Sequence, residues 1–182
     1  MVPYRHAELN SGSYVMAVNG KQKGNKFERD IANKFSARFA DYTGIEKSFR
    51  RNPDSGSFFG GTNIDRKDVY DTDWAIYGDL ICPRNFNFSV ECKHYKKAPP
   101  LNAILKQKVS DWDDWIAQAK QDAEASEKEM LLIIKYNNTE TLAMTMPGVT
   151  TLLPMINYQG VEIQVLEHVI NLKDSLFFTE DK

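Results

Sequence analysis

"GDLICPRNFNFSVECKHYKK", residues 78–97, decides the reading of this chain. Within it, "FNFSVECKH" alternates between apolar and polar positions, the pattern of a half-buried strand. Phe88, Val90 and Cys92 fall on one face, and Ser89, Glu91 and Lys93 on the other. Glu91 and Lys93 therefore project together while the opposite face packs. Upstream, "WAIYGDLIC" reads as a second strand, joined to the first by the turn-like "PRN". Pairing of the two brings Asp79 next to Glu91. Two carboxylates side by side repel unless a cation sits between them. Mg2+ suits such a pair, because it takes oxygen ligands and keeps several waters, leaving room for a phosphate oxygen and a nucleophilic water. Lys93 then supplies a positive group beside that water. There it orients the water, helps deprotonate it, or neutralises charge developing on the phosphate. Asp73 is the rival to Asp79, but it precedes the strand core. Cys92 reads as packing through its side chain.

Working outward, a helix is expected from about Gly24 to Ala40, where Phe27, Ile31, Phe35 and Phe39 recur every four residues with Ala32 beside them. "KSFRR" is a short strand candidate. The stretch "NPDSGSFFGGTNIDRKDVYDTD" reads as a long loop, dense in Gly, Ser, Asp and Asn. Helical pattern resumes in "LNAILKQKV" and in "DWDDWIAQAKQDAEA", with Asp111 as N-cap and Trp112, Trp115, Ile116 and Ala119 on the apolar side. "EMLLIIKYN" is a continuous apolar run of strand length, hence a buried central strand, with "ETLAMTM" beside it. "YQGVEIQVLE" holds one more strand, and a short helix is expected in the remainder. The order predicts an α/β fold: a mixed central sheet flanked by helices.

The chain has 182 residues, 42% of them hydrophobic and 26% charged, which suits one domain and argues against disorder. Residues 1–22 read as a flexible N-terminal arm and 23–182 as a single domain. Cys82 and Cys92 are the two cysteines, with no CxxC pair, and His6, His94 and His168 are scattered. That spacing argues against a structural zinc site and a disulfide scaffold. No stretch is apolar for long enough to cross a membrane, and "MVPYRHAELNSGSYV" lacks the pattern of a signal peptide, so an intracellular, cytoplasmic protein is expected.

The formal net charge is -2, but charge is unevenly spread. From Met16 to Arg51 nine Lys or Arg face four acids, whereas from Asp111 to Glu129 seven acids face two lysines. A polyanion binder needs one basic face, not a basic average, although two solvated helix faces would read the same way.

Asp, a spacer of about ten residues, then Glu-x-Lys on the next strand resembles the PD-(D/E)XK nucleases. "GNKFERDIANKF" resembles the first helix of Holliday-junction resolvases in that superfamily, "FRRNPDSGS" their strand-to-loop segment, and "GDL" their strand aspartate. "DWIAQAKQDAEASEKEMLLIIKYN" resembles their post-core helix, with its glutamine, and last core strand. The match runs over roughly 24–137 and is nearest to phage and archaeal-type resolvases. The long loop before "GDL" and the extension 138–182 depart from it.

The resemblance implies a restriction-endonuclease-like core and a DNA endonuclease, phage-encoded and acting in the host cytoplasm. It implies Mg2+, with Mn2+ able to substitute, held by Asp79, Glu91, the backbone carbonyl of Cys92 and Glu28. It also implies 5'-phosphate and 3'-hydroxyl ends. Lys93, Ser55 and Gln118 complete the catalytic set it implies. Each has a plainer reading: Glu28 as a solvated helix charge, Glu91 and Lys93 as a strand-edge pair, Ser55 as the cap of the "PDSG" turn, Gln118 as a surface amide. Arg50, Arg51, Lys96, Lys97, Lys23 and Lys26 are candidates for DNA phosphate contacts, or else solvating charges. Branched or double-stranded DNA is the expected partner, and two symmetric cuts at a junction call for a homodimer. Alternatives are a restriction-type or repair endonuclease on the same fold, and a catalytically silent DNA-binding module.

Overall fold

The computed structural model describes residues 20–53 and 74–179. Helices α1 (Gly20–Arg38) and α2 (Ala40–Thr43) are followed by three short strands, β1 (Arg50–Arg51), β2 (Trp74–Tyr77) and β3 (Leu80–Pro83). The long strand β4 (Phe88–Tyr95) leads through α3 (Leu101–Leu105) and α4 (Ser110–Ser126) to β5 (Glu129–Tyr136) and β6 (Leu142–Thr145). Strands β7 (Ile156–Tyr158) and β8 (Val161–Val165) precede the short helices α5 (Leu166–Ile170) and α6 (Asp174–Phe177). Among the described residues the strands form a three-stranded sheet, β1-β3-β2, and a five-stranded sheet, β4-β5-β6-β8-β7. Strands β4 and β5 run parallel, joined by the helical crossover, and the other pairs are antiparallel. This is the α/β architecture that the sequence predicts. No helix among the described residues is long and apolar enough to cross a membrane.

The expected alternation holds along β4, but both of its faces are buried. Val90 and Cys92 join Leu131 and Ile133 of β5 in a core beneath α1. Glu91 pairs in register with Leu132, whose face packs under Trp112, Trp115 and Ile116 of α4. The stripe Phe27, Ile31 and Phe35 buries α1 against the first core, as its four-residue spacing predicts. Phe35, Phe39, Phe49, Phe86, Phe177 and Phe178 interlock there at tilted and edge-on angles, with Phe86 and Phe177 stacked. Phe177 and Phe178 bring the end of the chain into the same core, and β6 to β8 extend the same sheet.

Five expectations differ from the structure. "WAIYGDLIC" is two strands, not one: β2 and β3 pair antiparallel with Tyr77 opposite Leu80, leaving Gly78 and Asp79 as a two-residue turn. Gly78 has φ of 65°, and glycine at the first position of a tight hairpin is what permits it. Neither strand forms a ladder with β4; the two meet through a single bridge, Gly78 to Val90. Helix α1 begins at Gly20, so Gly20–Gln22 are helical and not part of an arm. Asp111 lies inside α4 and not at its cap, for the residue before the helix is Val109, whose N–H donates to the Tyr158 hydroxyl at 2.8 Å. "YQGVEIQVLE" belongs to a hairpin of two strands turning at Gln159 and Gly160, both with positive φ.

Candidate active site

β4 is the terminal strand of the five-stranded sheet, and the β2–β3 turn is pressed against its open edge. Asp79 N–H donates to Val90 O at 2.8 Å, and Cys92 N–H donates to Asp79 Oδ2 at 2.8 Å. The approach is close: a Cβ on Gly78 would lie 2.4 Å from Val90 O. Asn52 fixes the turn from behind, its N–H reaching Asp79 O at 2.8 Å and its amide reaching Gly78 O at 3.1 Å. Asp79 is thus aimed along the edge of β4 by the turn, not carried by a strand. In an extended chain the N–H and C=O of one residue face the same side, so the Cys92 carbonyl also faces this edge.

On the α4 side, Lys93 Nζ donates to Glu91 Oε1 at 2.6 Å and to Gln118 Oε1 at 3.1 Å. Gln118 Nε2 closes the triangle by donating to Glu91 Oε1 at 2.8 Å. On the α1 side, Arg51 Nε donates to Glu28 Oε2 at 2.6 Å and Arg51 Nη2 to Asn25 Oδ1 at 3.0 Å. Ser36 makes that meeting possible. Its hydroxyl exchanges hydrogen bonds with the backbone of Phe49 and docks the start of β1 on α1.

The carboxylates share one environment. Glu28, Asp79 and Glu91 are 8%, 7% and 3% exposed, so neither Glu28 nor Glu91 is a solvated surface charge. Burial and the nearby Asp79 push the Glu91 carboxyl up to about 7, against the pull of Lys93. Burial and Asp79 also raise Glu28, against Arg51, and raise Asp122. Burial opposes the Lys93 ammonium, but Glu91 and Asp79 outweigh it and raise its pKa. The common factor is Asp79, the acid that the other three feel.

Among the described residues, no three His, Cys, Asp or Glu side chains are gathered as a ready cation cage. Each carboxylate instead meets a protein donor: Asp79 the Cys92 amide, Glu91 the Lys93 ammonium, Glu28 the Arg51 guanidinium. The donor set is nonetheless all hard oxygen at one sheet edge, the chemistry that Mg2+ or Mn2+ takes.

The structure therefore brings together Glu28, Asp79, Glu91, Lys93, Gln118 and the Cys92 backbone. Ser55 lies outside the described residues. Arg50, Lys26, Lys96 and Lys97 are exposed, and Lys23 donates to Asn137 Oδ1 at 2.8 Å. Arg51 is engaged by Glu28 and Asn25. Sequence reasoning passed over Asn25, Asn52 and Asp122. Asp122 stands four residues beyond Gln118, which puts both on one face of α4, so its signal was present. Asn25 and Asn52 carry no comparable pattern.

A family model described as "Phage putative PDDEXK endonuclease" matches residues 19–175. No curated protein and no solved structure gives a match.

Proposed function

Since the chain belongs to the phage putative PDDEXK endonuclease family, we propose that it hydrolyses phosphodiester bonds in branched DNA, with Holliday junctions as the substrate. One observation carries the chemistry: Lys93, Glu91 and Gln118 bond mutually beside the edge where Asp79 takes the Cys92 amide. Asp79, Glu91 and the Cys92 carbonyl are the oxygens for a divalent cation, Mg2+ with Mn2+ as substitute, and Glu28 contributes directly or through water. When bound, such a cation stabilises charge on a phosphoryl oxygen and eases deprotonation of the attacking water. Gln118 holds Glu91 with its amide N–H and Lys93 with its amide oxygen, so one side chain fixes the relative position of both. The Lys93 ammonium is an electrostatic donor to the attacking water or the scissile phosphate, where negative charge grows in the transition state. Burial strengthens that interaction, because little solvent screens it.

Junction resolution needs two symmetric cuts, and a two-fold homodimer supplies them. The test is a cleavage gel with a synthetic four-way junction, a flap and a linear duplex, with and without Mg2+. Symmetric paired cuts in the junction, with the duplex spared, are expected. Preferential cutting of duplex at a sequence would assign a restriction-type enzyme instead. Undiminished cleavage after thorough EDTA treatment would remove the metal mechanism. Absence of cleavage under every cation would leave a DNA-binding module. Ca2+ should support binding without cutting, since it holds its ligands at longer and less regular distances.

A further inference from the structure

We infer that Lys23, Lys135, Asn137 and His94 form a subsite for a backbone phosphate of the DNA, beside the catalytic edge and separate from it. The inference rests on the nuclease reading and names where that substrate is held. His94 and Lys135 are cross-strand neighbours in the parallel β4–β5 ladder. Alternation puts both on the sheet face that α1 covers, the face of Cys92 and Ile133. Lys23, from the first turns of α1, reaches over to bond Asn137 just past the end of β5. The His94 ring packs on Phe27 at 5.2 Å, and Phe27 lies four residues after Lys23 on the same helix. Two ammonium groups therefore converge on one imidazole where α1 crosses the ends of β4 and β5.

The partners of these lysines are neutral. Lys23 donates to an amide oxygen, and Lys135 donates to the carbonyl of Thr139. Among the described residues neither lysine forms an ion pair. Gathering two cations on half-buried ground, with no carboxylate paired to either, costs free energy that a bound anion returns. Two ammoniums with an amide alongside can meet phosphate oxygens from several directions.

The placement suits a nucleic-acid strand. Lys23 precedes Glu28 by five residues on α1, a rise of about 7.5 Å along the helix. Phosphates follow each other by about 3.4 Å of axis along one strand. A phosphate held at Lys23 and Lys135 is thus a different one from the phosphate cut at the catalytic acids. It fixes the register of the strand without reading its bases.

The experiment measures duplex and junction binding by fluorescence anisotropy in Ca2+, across a salt series. Variants are Lys23→Gln with Lys135→Gln, and Lys23→Arg with Lys135→Arg. The glutamine pair should lower affinity about tenfold and reduce the log–log salt slope by about one, because one phosphate is no longer neutralised. The arginine pair should keep most of the affinity, which a role in folding through lysine shape would not predict. Parental affinity and slope in the glutamine pair overturn the subsite, as does equal loss in both pairs. A parent protein that binds DNA but fails to cut it under every divalent cation sinks the nuclease reading and leaves the subsite standing. A parent that binds no DNA overturns both.

Discussion

Arg51 Nε donates to Glu28 Oε2 across 2.6 Å, joining β1 to α1, with the two side chains 19% and 10% exposed. An arginine that reads in sequence as a DNA contact is the cation that neutralises a buried acid. Arg51→Ala strips Glu28 of that cation beside Asp79 and should cost about 2 kcal/mol, since removing one partner leaves a charge poorly solvated. The exposed Arg50 faces the other way along the strand. Arg50→Ala should instead weaken DNA binding and lower its salt slope by about one. Urea melts together with anisotropy titrations check the division. Equal loss of DNA affinity in both variants, with no change in stability, would return Arg51 to the DNA interface.

Gly78 sits with φ of 65° and with space for a hydrogen, not a methyl, against Val90 O. Gly78→Ala pushes the turn off the edge of β4 and carries Asp79 with it. A stability loss of about 2 kcal/mol or more is expected from the left-handed backbone and the clash together. Cutting should fall further than the loss of folded protein explains. Parental melting temperature and rate would show that the edge yields easily and that Asp79 needs no such close seat.

Burial and Asp79 raise the Glu91 carboxyl from its usual 4.5 to about 7. Between those values the folded protein holds a proton that the unfolded chain has released. Stability of the metal-free protein should therefore fall as pH rises through this window, and this contribution flattens above it. Glu91→Gln is neutral throughout and should lose the slope. Thermal melts in EDTA, from about pH 5 to about pH 8, measure it, since stability tracks proton uptake directly. The same slope in parent and variant would trace it to another group.

Lys93 is held by Glu91 and Gln118, so its ammonium has a defined place. Lys93→Ala should slow single-turnover cutting about 10²-fold or more, as expected when one electrostatic stabiliser of the transition state is removed. Lys93→Arg should not restore the rate, because a planar fork cannot replace a compact ammonium between two oxygens. Asp79→Asn and Glu91→Gln should abolish cutting while retaining DNA binding, since each removes a negative charge facing phosphate. A Lys93→Ala rate within about threefold of the parent would reduce the lysine to a structural counter-ion.

What repeats locally was legible along the chain. Two-residue alternation placed Glu91 with Lys93 and set Phe88, Val90 and Cys92 against them. Four-residue spacing determined the buried stripe of α1, and an unbroken apolar run determined that β5 is a buried interior strand, although it lies second in the sheet and not at its centre. These follow from backbone period, which any reader of the chain shares. Tertiary structure decided everything that depends on distant residues meeting. Whether "WAIYGDLIC" runs straight or folds back at Gly78 is settled by the approach of Val90, twelve residues on. The meeting of Arg51 with Glu28 depends on Ser36 docking Phe49 on α1. Whether Lys23 and Lys135 converge is settled by how α1 crosses the sheet. Charge and polarity are written in single residues, but their partners are chosen by packing, and packing has no local period.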